Sequence, residues 1–332
     1  MLPTPTAQVK PANHPTARQI ALQQALIWGL FGGAALVFIL TNLDSSLVHA
    51  LHIEGGTRFT HYMREHGSLP AITLGILGLV ALFWPGLWRK RPTLYQTAAV
   101  FTLSLILGTG LFNQIIVKNL ADRPRPREVL LTESPANTQT DAFRGNSMPS
   151  GHAAVGFVLA APFFPLRRRH PRLAYTFLAT GLTAGAALSL SRIMLGAHYP
   201  SDTLIAAAIA LSSAALLTAL LQRYGRVSPT VLAIGTLLAG LCVVLGNRFS
   251  NLTLTHPLTE PFKEIRLPCQ PTAISTTTPA PGPATLTVVL HGYGAPLSQL
   301  KLINNNNIIT LQTSYGLYHN LSCTATITQP TE

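Results

Sequence analysis

The stretch Ser191-Arg192-Ile193-Met194-Leu195-Gly196-Ala197-His198-Tyr199-Pro200-Ser201-Asp202 joins two long apolar runs of this chain. It places a hydroxyl, a guanidinium, an imidazole and a carboxylate within a short connection. Two other polar sets, Lys118 with Arg125-Pro126 and Pro149-Ser150-Gly151-His152, also lie where apolar runs end or begin. We therefore predict that one face of a bundle of membrane helices brings the three sets together at a single site.

Long apolar runs dominate the composition. Of the 332 residues, 48% are hydrophobic and only 10% are charged, whereas soluble domains carry about 25% charged residues. Runs near 20 residues are long enough to cross a hydrocarbon core of about 30 Å as helices. We predict seven such helices, over residues 20–41, 70–88, 94–117, 152–166, 172–191, 201–222 and 229–247. The first run is too long for the core of a signal peptide and is predicted to be retained.

Basic residues concentrate in alternate connections between these runs. The clusters are Lys10 and Arg18; Arg89, Lys90 and Arg91; Arg167, Arg168, Arg169 and Arg172; and Arg223 and Arg226. None of these segments contains Asp or Glu, so the positive-inside rule places them in the cytoplasm. The three polar sets then face outward. Because the net charge of +12 is divided among short loops, nucleic acid is not an expected partner.

Three domains are predicted. Residues 1–19 are rich in proline and polar residues and are expected to be a disordered cytoplasmic tail. Residues 20–248 form the membrane domain. Within it, Asn42–Leu69 carries His49, His52, His61 and His66; this pattern favours a short helix at the membrane surface over a metal site.

Residues 249–332 form the third domain, in which Thr, Pro and Asn become frequent. Alternating polar and apolar residues predict strands over Thr285–Leu290, Ile308–Ser314 and Ser322–Thr328. We expect a small β-rich domain outside the cytoplasm. An oxidising compartment there would favour a disulfide between Cys269 and Cys323.

All three polar sets contain groups that bind anions. Lys118, Arg125 and Arg192 supply cations, and the arginine fork suits phosphate oxygens. An arginine at a helix end can instead anchor the helix to lipid headgroups. Ser150 and Gly151 are predicted to open a helix, whose free N–H groups bind anions; the alternative role of Ser150 is ordinary N-capping.

The third set pairs an imidazole with a carboxylate. Pro200 is suited to the first position of a helix, which places Asp202 in the first turn, where the helix dipole favours a carboxylate. Asp202 can then hold one nitrogen of His198 and leave the other free to attack, as in a catalytic triad. The alternative is a purely structural His–Asp pair.

Together the three sets resemble the type 2 phosphatidic acid phosphatase (PAP2) superfamily. Its pattern is Lys, six residues, Arg-Pro; then Pro-Ser-Gly-His; then Ser-Arg, five residues, His, three residues, Asp, and every fixed position is filled here. The resemblance implies an all-α polytopic membrane protein with a six-helix PAP2-type bundle, to which this chain adds a seventh helix and the β-rich domain. It further implies His198 as nucleophile, Asp202 as its partner, His152 as general acid, and no metal or cofactor.

The resemblance implies a phosphatase that acts on a lipid phosphate or pyrophosphate through a phosphohistidine. The superfamily includes enzymes for phosphatidic acid, phosphatidylglycerol phosphate, undecaprenyl pyrophosphate and lipid A. The expected partners are the lipid phosphate substrate and membrane lipids, and the expected location is a bacterial inner membrane with the active site and C-terminal domain in the periplasm. Two alternatives are a lipid phosphotransferase using the same intermediate and a non-catalytic relative that binds or transports lipid.

Overall fold

The computed structural model describes residues 15–121, 123–129, 147–223, 229–246, 249–258, 264–266, 270–280, 285–294, 299–305, 308–314 and 318–330. Among these residues, five helices are long and apolar enough to cross a membrane. They are Ala17–Leu40, Arg58–Leu82, Pro92–Val117, Pro171–Met194 and Pro200–Arg223. The chain is therefore a multi-pass membrane protein.

The described helices are numbered here in chain order. The first seven are α1 (Ala17–Leu40), α2 (Leu43–Leu51), α3 (Arg58–His66), α4 (Leu69–Leu82), α5 (Pro85–Lys90), α6 (Pro92–Val117) and α7 (Lys118–Ala121). The next five are α8 (Pro126–Val129), α9 (Gly151–Leu166), α10 (Pro171–Met194), α11 (Pro200–Arg223) and α12 (Pro229–Gly246). The second half of α6, Ser104–Val117, is wound as a π-helix.

The predicted number of seven crossings is not confirmed. The fourth and seventh predicted runs appear as shorter apolar helices, Gly151–Leu166 and Thr230–Leu241. In α9 the winding tightens over Val158–Ala160 and the chain turns before Phe163. Pro162 and Pro165 lie in this region, and proline removes a backbone donor from a helix. The segment Asn42–Leu69, predicted to hold one surface helix, contains two helices, α2 and α3. The α3 helix forms the first part of the second candidate span, Arg58–Leu82.

Small residues let the helices approach closely. A Cβ atom on Gly156 of α9 would lie 2.7 Å from the Cα atom of Gly185 on α10, so these two helices touch along their backbones. Likewise, a Cβ on Gly108 of α6 would lie 2.7 Å from the Cβ of Ser213 on α11. Backbone hydrogen bonds join the start of α9 to the start of α11, and the start of α8 to the turn between α10 and α11, so these segments meet.

The C-terminal region contains seven described strands: β1 (Phe249–Pro257), β2 (Glu264–Arg266), β3 (Gln270–Ala280), β4 (Thr285–Gly294), β5 (Gln299–Asn305), β6 (Ile308–Ser314) and β7 (Tyr318–Pro330). One sheet has the order β1-β4-β7-β3 and the other β2-β6-β5. In the first sheet β4 is antiparallel to β1 and β7, whereas β3 is parallel to β7. The three strands expected from the sequence are all present within β4, β6 and β7.

The disulfide stays a prediction. Cys269 lies outside the described residues, two positions before Pro271, which is the register partner of Cys323 in the β3–β7 pair. Mass mapping of unreduced protein would detect the linked peptides, and complete alkylation of both thiols would contradict the bridge. The predicted tail, residues 1–19, is described only from residue 15, and α1 begins within it at Ala17, after an N-cap at Thr16.

Candidate active site

The structure brings the three polar sets together at one end of the helix bundle. The backbone N–H of Ser150, at the start of α9, donates to the carbonyl of Asp202 in α11 at 3.2 Å. The N–H of Ser147 donates to the carbonyl of Arg123, just after α7, at 2.8 Å. Three segments that are distant in sequence are thus joined by backbone hydrogen bonds.

A tight turn sets the position of His198 between α10 and α11. Gly196 has a φ of +60°, a left-handed conformation that glycine adopts without strain. The N–H groups of Gly196 and Ala197 satisfy two carbonyls near the end of α10, those of Ile193 and Arg192, at 2.9 and 3.0 Å. As predicted, Pro200 is the first residue of α11. The nucleophile candidate therefore lies on a short backbone segment anchored at both ends.

The imidazole of His198 is held by a main-chain carbonyl. Its Nδ1 lies 2.6 Å from the carbonyl oxygen of Ser147 and 3.7 Å from Oδ2 of Asp202. The Nδ1–H group of His198 therefore donates to the Ser147 carbonyl, and Asp202 lies at ion-pair distance from the same nitrogen. Because a carbonyl oxygen only accepts, Nδ1 carries the proton and Nε2 carries the lone pair.

Burial keeps this ring neutral. His198 is 2% exposed. Its burial, together with the nearby cations Lys118 and Arg125, lowers the pKa of His198 to about 3 despite the opposing charge of Asp202. At neutral pH the Nε2 lone pair is consequently available for attack.

The carboxylate of Asp202 is fully buried, and both of its oxygens accept hydrogen bonds. Oδ1 accepts from Nη1 of Arg123 at 2.8 Å, and Oδ2 accepts from the N–H of Tyr199 at 2.8 Å and from the hydroxyl of Ser147. These contacts fix the carboxylate beside the ring of His198. They also compensate for removing a charged group from water.

Three cations gather next to the two histidines. Lys118 is 4% exposed, and its Nζ lies 3.3 Å from Oε1 of Gln114. Burial, and then the charges of Arg125 and Arg192, lower the pKa of Lys118 to about 7. Within the described residues, the buried Nε of Arg192 has no hydrogen-bond partner. A group of repelling cations with an unused donor is the arrangement that an anion would stabilise.

The start of α9 adds a helix N-terminus to this group. Ser150 is the N-cap, and its hydroxyl lies 3.5 Å from the N–H of Ala153, so the ordinary capping role is present. A Cβ on Gly151 would lie 2.7 Å from Oε1 of Gln114. Because glycine has no Cβ, the side chain of Gln114 can lie close against the start of α9. His152 is partly exposed; it lies near Lys118 and beside the main chain of Arg64 from α3.

Two carboxylates hold the guanidinium of Arg123, which follows α7. Its guanidinium bridges Asp44 and Asp202, each at 2.8 Å, and its Cζ lies 3.8 Å from the ring centre of Tyr199. Arg123 therefore forms ion pairs with two carboxylates. Arg127 is exposed at the site's edge, and Arg144 lies outside the described residues.

Three of the four histidines of the first connection, His52, His61 and His66, have partners in the structure. Nδ1 of His52 lies 3.1 Å from the carbonyl of Met194, Nε2 of His61 lies 2.9 Å from that of Gly55, and the ring of His66 stacks on Tyr62. In the part of the chain that is described, no three His, Cys, Asp or Glu side chains form a metal-binding group.

The sequence alone assigned no role to Asp44, Ser147 or Ser201. Asp44 is the first acidic residue of the chain. A lone carboxylate after an apolar run is the single signal that the sequence offers, and it does not indicate a partner.

Comparison with known proteins agrees with these motifs. Residues 97–226 match the model of the PAP2 superfamily. This matched range contains Lys118, Arg125, the Pro149–His152 set and the Ser191–Asp202 stretch, which are the residues that carry the resemblance in the sequence.

A crystal structure of a transmembrane PAP2-type phosphatidylglycerolphosphate phosphatase from Bacillus subtilis is similar over 62% of this chain and 99% of its own, with 19% identity and a TM-score of 0.39. Comparison with curated proteins gave no significant match.

Proposed function

We propose that the chain is an integral membrane phosphatase that removes phosphate from a lipid phosphate or pyrophosphate through a phosphohistidine at His198. One observation carries this proposal. A neutral, buried imidazole with its Nε2 lone pair available lies beside the cations Lys118, Arg125 and Arg192. A phosphoester needs this combination, since its charge must be neutralised before a nucleophile can approach.

The reaction proceeds in two steps. Lys118, Arg125, Arg192 and the N–H groups at the start of α9 hold the phosphate. Nε2 of His198 forms a bond to phosphorus as the bond to the lipid oxygen breaks, and His152 donates a proton to that oxygen. Water then attacks the phosphohistidine and gives its proton to His152 as the bond between phosphorus and Nε2 breaks, which releases inorganic phosphate and restores both rings to their starting states.

Ser147 and Asp202 act on the ring during the first step. Positive charge develops on the imidazole as the nitrogen–phosphorus bond forms. The Ser147 carbonyl, 2.6 Å from Nδ1, and the Asp202 carboxylate, 3.7 Å away, stabilise that charge without moving. Preorganised groups of this kind contribute to catalysis because they need no rearrangement in the transition state.

The proposed orientation places the site in the periplasm of a bacterial inner membrane. Lys118, Ser150 and His198 lie at helix ends opposite to those that carry the basic clusters Arg89–Arg91 and Arg167–Arg169. Positive clusters favour the cytoplasmic side. By the same rule, the C-terminal β-rich region lies in the periplasm after a further crossing by α12.

A substrate panel tests the activity. Detergent-purified protein is offered phosphatidic acid, phosphatidylglycerol phosphate, a polyprenyl pyrophosphate and lipid A, with and without EDTA, and free phosphate is measured. Release from at least one lipid, unchanged by EDTA, is expected. Phosphate appearing on an added lipid alcohol instead would favour the phosphotransferase. Binding without turnover would favour a non-catalytic relative.

A further inference from the structure

We infer that Asp44 is a positioning residue for this reaction, acting through Arg123 on the Asp202 carboxylate that faces the nucleophilic ring. Asp44 lies in the first turn of α2, outside the residues that match the superfamily model. The inference rests on the proposed function, because it assigns Asp44 to the same site.

Asp44 is buried at 3% exposure, and each of its oxygens is occupied. Oδ1 accepts from the N–H of Ser201 at 2.9 Å. Oδ2 accepts from Nη2 of Arg123 at 2.8 Å and from the Ser201 hydroxyl. Asp44 therefore holds both the start of α11 and the outer edge of the Arg123 guanidinium.

The other terminal nitrogen of the same guanidinium, Nη1, holds Asp202. Nη1 of Arg123 donates to Oδ1 of Asp202 at 2.8 Å and to the Ser201 hydroxyl at 2.6 Å. A planar guanidinium transmits orientation well, because its donors have a fixed geometry. A displacement of Asp44 would thus move Arg123, then Asp202, and then the charge that faces His198.

Charge also connects the two carboxylates. Arg123 carries one positive charge and is shared between Asp44 and Asp202. If Asp44 were neutral, Arg123 would pair with Asp202 alone and offset most of its negative potential at His198. The stabilisation of the positive charge that develops on the ring would then be weaker, whereas the phosphate-binding cations would be unchanged.

The test is a double-mutant cycle in full-length, detergent-purified protein. Asp44→Asn, Arg123→Gln and the double variant are compared with wild type for kcat and KM on the best lipid phosphate, and for vanadate affinity. Asp44→Asn should lower kcat about 10²-fold, the size of effect that remote misplacement of a reacting group produces. KM and vanadate affinity should change less than about threefold, because Asp44 contacts none of the cations assigned to phosphate. In the Arg123→Gln background the further loss should be below about threefold, since the two residues act as one unit.

Two further variants complete the test. Ser46→Ala, on the same helix, removes an exposed hydroxyl that donates to the carbonyl of Asn42 and should leave kcat unchanged. Asp44→Glu keeps the charge and should retain at least about tenfold more activity than Asp44→Asn. If Asp44→Asn fails to fold, as judged by lost vanadate binding, the Asp44→Glu comparison decides: activity no better than that of Arg123→Gln overturns the inference.

Near-normal kcat in Asp44→Asn, losses that multiply in the double variant, or an effect confined to KM would also overturn it. These results differ from a failure of the proposed function, in which wild type and Ser46→Ala would release no phosphate from any lipid.

Discussion

The two histidines of the site differ in their surroundings. His198 is buried, and Nδ1 is fixed by the Ser147 carbonyl, whereas His152 is partly exposed at the start of α9. A buried ring with a fixed tautomer suits a nucleophile, because one nitrogen always carries the lone pair. A ring with access to water can recover a proton after each turnover, which suits an acid.

Replacing His152 by alanine should slow turnover in a way that depends on the leaving group. Positioned acid catalysis contributes about 10²–10⁴-fold, so a lipid phosphate with an alkoxide leaving group should lose activity by that amount. An aryl phosphate has an aryloxide leaving group that needs no protonation, so its turnover should fall by less than about tenfold. The measurement is kcat on both substrates, and equal losses on the two would contradict the role of His152.

Binding of a phosphate analogue should weaken as pH rises through about 7. The pKa of Lys118 is lowered to about 7 by burial and by Arg125 and Arg192, so Lys118 is charged below this pH and loses its charge above it. Vanadate affinity should then fall by up to about tenfold per pH unit, the limit for one linked proton.

Lys118→Arg is the matched control, since arginine stays charged over this range. The difference between the two pH profiles cancels the ionisation of vanadate itself. Identical profiles would show that Lys118 is not the titrating group.

Residues with fixed motif spacing could be predicted from the sequence, and residues joined only by folding could not. Lys118, His152 and His198 each belong to a recognisable pattern. The bond from Ser201 to Asp44 spans 157 positions, and the bond from His198 to Ser147 spans 51. Sequence patterns relate residues that are close along the chain and do not relate pairs this far apart. The hydrogen bond from His198 to the Ser147 carbonyl could therefore be identified only from the folded structure.

At the scale of elements, the contact between α9 and α10 positions two parts of the site. The start of α9 carries Ser150 and His152, and the end of α10 carries Arg192. Gly156 and Gly185 let these helices touch, so a side chain at either position must push them apart.

Gly156→Val should therefore destabilise the protein by about 1–3 kcal/mol, the usual cost of overpacking a close-packed interior. Thermal unfolding in detergent measures this change. Gly235→Val on α12 is the control, because among the described residues no atom of another helix lies within 4 Å of a Cβ placed there. Equal unfolding temperatures for the two variants would contradict the assigned contact.

The long helices were predictable because apolar runs of sufficient length have one stable form in a membrane. The ends of the helices were less predictable than their presence. The helices α10 and α11 match their predicted runs within three residues, whereas the second candidate span begins at Arg58 instead of residue 70. In this span α3, which contains charged residues, is followed by the apolar helix α4. A prediction from hydropathy alone detects only α4.

At the scale of the whole molecule, the distribution of charge predicts the orientation. A reporter that is active only in the cytoplasm, fused after Glu332, should stay silent, whereas the same reporter fused after Arg91 should be active. The second fusion controls for expression. A signal from the Glu332 fusion would show either that the orientation is the reverse of the predicted one or that α12 does not cross the membrane.

The central claim is that phosphoryl transfer occurs at Nε2 of His198. Phosphate release from the best lipid substrate, measured with purified wild type and His198→Ala at equal concentration, tests it most directly. Loss of a nucleophile costs about 10⁴–10⁶-fold in turnover where the remaining site is intact, and a loss of this size is predicted. Turnover by His198→Ala within about tenfold of wild type would contradict the account.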